Sequence, residues 1–343
     1  MRPNLIERAT QETGRFRRIG FLIFADYQIL DLCGPFEAFY FAGQWLERLG
    51  KTTEPAYCPL IISGGSEPVR SMSGLAILPS QSFNDISDGI DTLIVAGGTG
   101  MEEASRDREL VDWVRSIAPR ARRVASICSG AFILASAGLL HRRRATTHWM
   151  YSDLLAATYP SIEVDATKVF IRDGNIYTSG GITAGIDLAL ALVEEDMGTD
   201  VMLAVARTMV VFPRRPGGQS QFKTYNYSTD GIGRAEFRQL HIWIMAHPEA
   251  DLSVPALAER MGMSPRNFSR VFREEMGQTP AQFAEKARAD AARCKLEQTL
   301  LPVETIALEC GFGDPERMRR SFQRLYEISP ADYRARFRST AIQ

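Results

Sequence analysis

Ala258-Glu-Arg-Met-Gly262-Met-Ser264-Pro265 and Ala307-Leu-Glu-Cys-Gly311-Phe-Gly-Asp314-Pro315 are two openings of one repeated segment. The first continues through Phe268, Arg270, Phe272, Gly277, Pro280 and Phe283, the second through Met318, Arg320, Phe322, Pro330 and Tyr333. Pro265 to Pro315, Phe272 to Phe322 and Pro280 to Pro330 are each 50 residues apart, whereas Gly262 to Gly311 is 49. The second copy therefore carries one extra turn residue, near Gly313. Each copy reads as helix, tight turn, helix. Gly262 and Gly311 suit the left-handed residue that ends a first helix. Ser264 and Asp314 suit N-caps, and Pro265 and Pro315 the first helical position, where a missing N–H costs nothing.

The second helix of each copy is two-faced. Phe268, Val271 and Phe272 lie on one side, and Arg266, Ser269, Arg270 and Arg273 on the other at i, i+3, i+4 and i+7. In the second copy Met318, Phe322 and Leu325 oppose Glu316, Arg319, Arg320 and Gln323. An apolar back with an arginine-rich front, after a tight turn, is what a helix-turn-helix needs to place side chains in a major groove. The competing reading, a helical hairpin with a solvated basic face, does not account for two copies in register with repeated caps. The stretch resembles the AraC/XylS family of transcription regulators over about 100 residues, with helix-turn-helix units at about 252–276 and 303–325 and a joining helix at 280–299. The resemblance implies double-stranded promoter DNA as a partner. Arg270 and Arg320 are the main candidates for base or phosphate contact, with Arg266, Ser269, Arg273, Glu316 and Arg319 beside them.

Composition sets the limits. The chain has 343 residues, room for two domains with separate cores. Its formal net charge is −1, so DNA affinity has to come from placed arginines rather than bulk charge. No apolar run is long enough to span a membrane, so no membrane partner is expected. Residues 1–16 lack an apolar core of signal-peptide type and read as a loose tail. The five cysteines are scattered without CxxC pairing, which fits reduced thiols in a cytoplasmic protein. No metal and no cofactor is expected.

From residue 17 to 212 the pattern changes. Apolar runs at 17–24, 57–63, 91–96 and 123–127 read as strands. Residues 35–49, 107–117, 129–138, 151–158, 181–196 and 199–211 read as helices, with 26–34 as a loop. Hairpins are expected at 69–78 and about Asp173-Gly174-Asn175, and a short strand at 145–147. Strands alternating with helices predict an α/β sandwich, a mostly parallel sheet covered on both faces in the flavodoxin-like manner. Residues 213–232 are rich in Pro, Gly and polar residues and read as a linker, with an all-α domain at 233–343.

Val124-Ala-Ser-Ile-Cys128-Ser129-Gly130-Ala131 is strand, cysteine, small residues, helix: the pattern of a nucleophile elbow. Such a turn exposes its side chain at the carboxyl end of the sheet beside a helix N-terminus, which would lower a thiol pKa. The alternative is a buried structural cysteine; the Ser-Gly that follows favours an exposed pocket thiol. Val95-Ala-Gly97-Gly98 ends a neighbouring strand and would offer bare N–H groups to an anion. Gln28-Ile-Leu-Asp31 places a carboxylate nearby, and Thr146-Thr147-His148-Trp149 supplies an imidazole that is either a ligand contact or structural. Cys33, Cys58, Cys294 and Cys310 read as packing residues.

These residues make 17–212 resemble the ThiJ/PfpI family, on the class I glutamine amidotransferase-like fold, and most of all its branch of isonitrile hydratases and AraC-fused regulators. Ser129 stands where the family's proteases have histidine, so a protease dyad is missing. The elbow's helix N-terminus and the Gly97-Gly98 amides predict a ligand site containing Asp31, Gly97, Gly98, Cys128 and Ser129, with His148 as a further candidate; the resemblance implies a homodimer and an effector that is amino-acid-derived or a quaternary amine. Two functions follow. One is a transcription regulator sensing a small metabolite in the first domain; the other is a Cys-dependent hydratase or hydrolase with an accessory DNA-binding module. The complete double helix-turn-helix favours the regulator, without a catalytic assignment.

Overall fold

The computed structural model describes residues 17–48, 56–86, 89–213, 218–219, 222 and 232–337. The expected tail at 1–16 and most of the expected linker lie outside the described residues. The chain divides into two compact units, Met1–Gln219 and Ser220–Gln343.

The first unit runs β1 (Arg17–Leu22), α1 (Ile29–Arg48), β2 (Tyr57–Ser63), the hairpin β3 (Val69–Arg70) and β4 (Ala76–Ile77), β5 (Gln81–Ser82), β6 (Thr92–Val95), α2 (Met101–Arg106), α3 (Arg108–Ile117) and β7 (Arg123–Ile127). It continues with α4 (Ala131–Ser136), β8 (Arg144–Ala145), α5 (Ser152–Thr158), β9 (Glu163–Val164), β10 (Phe170–Asp173), β11 (Ile176–Ser179), α6 (Thr183–Met197) and α7 (Thr199–Thr208). The main sheet has the order β10-β11-β7-β6-β1-β2-β5. It is parallel except for the β10–β11 hairpin at its edge. β6 and β7 are buried at every residue, as strands covered on both faces must be. The helices gather in two groups, α1 with α6 and α7, and α2 with α3 and α4. At the amino ends of the strands Arg123 reaches Asp196 at 2.6 Å, and Tyr57 donates to the same carboxylate at 2.8 Å.

Two departures from the sequence reading bear on function. α1 begins at Ile29, not at 35, so Asp31 sits in its first turn rather than in a loop. Pro35 lies inside the helix and lacks the N–H that would bond back to Asp31. Burial of Leu32, Ala38, Phe39 and Ala42 along one face outweighs that loss. Gln219, within the stretch read as linker, is buried in the first unit, its backbone N–H donating to the Thr167 carbonyl at 2.7 Å.

The second unit is α8 (Ala235–Ala246), α9 (Val254–Arg260), α10 (Pro265–Met276), α11 (Pro280–Gln298), α12 (Val303–Glu309), α13 (Pro315–Tyr326) and α14 (Pro330–Phe337). It has two cores. Phe237, Leu240, Phe268 and Phe272 pack with Phe283, Ala284 and Ala287 from the first half of α11. Ile306, Met318, Phe322 and Tyr333 pack with Ala289, Ala292 and Leu296 from its second half. A capping box between Thr279 and Gln282 starts this helix. Ser264 Oγ accepts from the Asn267 N–H at 3.4 Å, and Asp314 Oδ1 from the Glu316 N–H at 3.0 Å.

Both turn glycines are left-handed, Gly262 at φ +61° and Gly311 at φ +76°. Their surroundings differ. A Cβ at Gly262 meets nothing within 4 Å, whereas one at Gly311 would lie 2.4 Å from the Pro248 carbonyl oxygen. Gly262→Ala should therefore cost about 1 kcal/mol, the strain of an L residue at positive φ. Gly311→Ala should cost clearly more. Urea denaturation followed by circular dichroism checks the order, and equal costs would contradict it.

Candidate functional site

The carboxyl ends of β1, β6, β7 and β11 meet around Cys128. β1 lies between β2 and β6, at the point where strand order reverses and crevices open in sheets of this kind. Cys128 follows β7 directly at φ +56°, the strained left-handed turn expected of an elbow, and opens a short 3₁₀ turn into α4. Opposite it stands a second strained residue, Ile182 at φ +54°. Each conformation costs of order 1–3 kcal/mol and persists only where its surroundings hold it. Gly181 fits against the cysteine so closely that a Cβ there would lie 2.2 Å from Cys128 Cβ.

Asp31 holds the arrangement together. Its carboxyl is fully buried and accepts the Gly97 N–H at 3.0 Å and the Ile182 N–H at 2.6 Å. Burial pushes it up to about 7, against the two amide bonds that favour its anion. Ser129 Oγ accepts from the Gly98 N–H at 2.9 Å and donates to the Gly98 carbonyl oxygen at 2.9 Å. Thr147 Oγ1 donates to the Cys128 carbonyl at 2.7 Å.

Two expectations need correction. The Gly97 and Gly98 amides are not bare, since Asp31 and Ser129 already take them. The Cys128 thiol is buried, with 5% of its surface exposed, rather than open. Burial first, and the nearby Asp31 carboxylate second, raise its pKa, outweighing the Ser129 hydrogen bonds. The neutral thiol is the favoured form, not a thiolate.

Asp31, Gly97, Gly98, Cys128 and Ser129 thus come together as one cluster. His148 stands apart from its bonds: it is half-buried, its Nδ1 accepts the Met150 N–H at 3.4 Å, and burial lowers its pKa. It adjoins the site through its neighbour Thr147, which bonds the Cys128 carbonyl. Cys294 is exposed on α11 rather than packed.

Sequence reasoning missed Thr147, Gly181, Ile182 and Gln219. Gly180-Gly181 after β11 repeats the Gly97-Gly98 pattern after β6 and could have been found. Gln219 carries no such signal. Its side-chain amide donates to Thr146 Oγ1 at 3.0 Å, the Thr147 carbonyl at 3.0 Å and the Lys168 carbonyl at 2.7 Å, and its oxygen accepts the Trp149 N–H at 3.1 Å.

In the second unit, α10 buries Phe268, Val271 and Phe272 and exposes Arg266, Arg270 and Arg273. Ser269 is half-buried and donates to the Pro265 carbonyl at 2.9 Å. Arg270 pairs with Glu274 at 2.7 Å and with Asn267 at 3.0 Å. On α13 Glu316, Arg319 and Arg320 are exposed; Arg319 pairs with Glu316 at 2.7 Å, and Arg320 approaches it at 3.9 Å. Exposed pairs of this kind contribute little net stability, so a phosphate or guanine can displace them. Among the described residues no group of His, Cys, Asp or Glu could hold a metal ion, and no helix is long and apolar enough to cross a membrane.

Two arginine-fronted helix-turn-helix units, following in the chain a doubly wound domain with a strained cysteine elbow, define a DNA-binding transcription regulator. The profile of the DJ-1/PfpI family matches residues 17–195, and a helix-turn-helix domain profile matches 257–336. Isonitrile hydratase of Pseudomonas putida is 39% identical over 199 residues, 58% of this chain and 80% of that protein. The HTH-type transcriptional regulator CdhR of Pseudomonas aeruginosa is 31% identical over 275 residues, 80% of this chain and 81% of that one. A crystal structure of a ThiJ/PfpI family protein from Pseudomonas syringae aligns with a TM-score of 0.51 and 28% identity, covering 68% of this chain and 87% of that one. The chain belongs to the DJ-1/PfpI family and carries a C-terminal AraC-type helix-turn-helix domain.

Two measurements test these sites. Asp31 is protonated in the folded chain up to about pH 7 and ionised in the unfolded chain above about 4. Its contribution to stability therefore falls as pH rises from about 4 to about 7 and is flat above. The stability gap between wild type and Asp31→Asn should shift in the variant's favour across that window; a gap independent of pH would contradict the burial argument. Arg270→Ala and Arg320→Ala should each weaken operator binding by about 1–3 kcal/mol, the range of a bidentate guanine contact, without unfolding the chain. Unchanged affinity at fixed salt would remove that residue from the interface.

Proposed function

We propose that the chain is a metabolite-responsive transcription regulator in which the Asp31–Cys128 cluster is the effector site. It acts in the cytoplasm as a homodimer on double-stranded promoter DNA. The observation that carries the sensing reading is the state of the elbow: a buried thiol held neutral beside a buried carboxyl, with strained Ile182 anchored by that carboxyl and the strained Cys128 by Thr147. A catalytic nucleophile needs its thiolate, and this environment opposes one. A sensor needs a site whose geometry costs energy and changes on occupancy, and Cys128 and Ile182 store such strain. Asp31, poised near neutrality, suits a cationic group, consistent with an amino-acid-derived or quaternary-amine effector.

A thermal-shift screen of the full chain against amines and amino-acid derivatives should find a stabilising compound. Cys128→Ala and Asp31→Asn should each reduce that shift at least several-fold and blunt the transcriptional response, while effector-free DNA binding persists. If both responses survive both changes, the elbow is not the effector site. The identity with isonitrile hydratase makes turnover the rival reading. Isonitrile hydration by the wild-type chain, abolished by Cys128→Ala, would replace sensing with catalysis.

A further inference from the structure

A cleft of about 510 Å³ opens in the second unit between α11, α13 and the segment before α9, floored by Leu252, Ala284 and Phe312 from the two apolar cores. Arg288 from α11 and Arg317, Arg320 and Arg324 from α13 line it, with Asp251 and Glu285 as the acidic groups. The carboxylates are engaged. Glu285 accepts from Ser321 Oγ at 2.5 Å and pairs with Arg324. Asp251 accepts the Ser253 N–H at 2.9 Å. Arg317 is exposed, and its side chain has no hydrogen bond or ion pair among the described residues. Arg288 is half-buried, its Nε donating to the Pro248 carbonyl at 2.9 Å and Nη2 to the Ala250 carbonyl at 3.0 Å, with Asp251 as the opposite charge acting on it. Burial holds the Arg288 pKa below its usual value; the Asp251 carboxylate opposes that shift, and the like charge of Arg317 adds a smaller push in the same direction as burial. The cleft thus has more cation than its own carboxylates neutralise.

We infer that this cleft seats a backbone phosphate of duplex DNA, with Arg317 as its direct ligand and Arg288 as the fixed charge behind it. The inference rests on the reading of this unit as DNA-binding and adds a contact outside its two arginine faces. Arg320 belongs both to the outer face of α13 and to the cleft rim, so a strand contacted by Arg320 runs past the cleft. Arg317, Arg320 and Arg324 recur at i, i+3 and i+7 and form one stripe along that edge. A phosphodiester there relieves the Arg288–Arg317 repulsion, and the site carries no base-reading geometry. It therefore adds affinity and register rather than sequence preference.

The test uses the full chain, binding a promoter duplex and a random-sequence duplex across a range of salt. Arg317→Gln should weaken both several-fold and equally, and lower the slope of log affinity against log salt by about one. Arg317→Lys should restore most of the slope. Because Arg317 is exposed and unbonded, the melting temperature should not move. Unchanged slope and affinity overturn the assignment. So does a loss confined to the promoter duplex, which would mean base contact, or a loss only of stabilisation by inorganic pyrophosphate, which would mean a small-anion site. If Arg320→Ala abolishes promoter binding while Arg317→Gln does nothing, the cleft proposal fails and the DNA-binding reading stands. If wild type binds neither duplex, both fail.

Discussion

The buried carboxyl of Asp31 constrains everything around the elbow. It accepts one N–H from the end of β6 and one from the residue before α6, while its own backbone starts α1. Three segments distant in sequence are thereby held against the end of β7. Without that acceptor, two amides would be left unsatisfied in an apolar interior, a cost of roughly 1–3 kcal/mol each. The strained Ile182 is anchored by the same carboxyl, while Thr147 holds the Cys128 carbonyl. Removing the carboxyl would release Gly97 and Ile182, which makes this cluster a natural place for ligand and fold to be coupled.

Packing at the elbow tolerates little. Gly97 and Gly181 let backbone approach Cys128 where any side chain would collide. That closeness excludes water, and exclusion of water is what raises both Asp31 and Cys128. A polar pair in a dry site changes protonation when a ligand changes the local charge, whether the response is sensing or chemistry. Gln219 links this region to the chain that leaves the first unit, since its amide satisfies the Thr146–Trp149 segment and Thr147 bonds the Cys128 carbonyl.

The second unit solves a different problem. A chain with formal charge −1 has to concentrate cation locally. α10 and α13 do so by placing phenylalanines in the core and arginines outside, and α11 fixes both to one rigid element. Its alanines let each helix-turn-helix core pack close to it, so either core is complete without borrowing residues from the other. Arg293, buried beside Tyr326 and Tyr333, adds a polar clamp to the second core.

The helix-turn-helix repeat is legible in the residues nearly position by position, because caps, turn glycines and 3.6-residue periodicity are local. Ser264, Asp314, Gly262 and Gly311 each act through neighbours within a few positions. The sequence also shows the alternation that makes a parallel sheet, and the elbow at Cys128, where strand, cysteine and small residues adjoin. It could not show that α1 starts before Pro35, since packing of Leu32 and Phe39 overrides proline there. Nor could it show Gln219 buried behind the site, or Arg317 and Arg288 sharing one cleft. Least of all could it settle the charge state of the elbow. A helix N-terminus lowers a thiol pKa and burial raises it; burial wins because the folded chain closes Gly181 and Asp31 over Cys128, a contact between segments far apart in sequence.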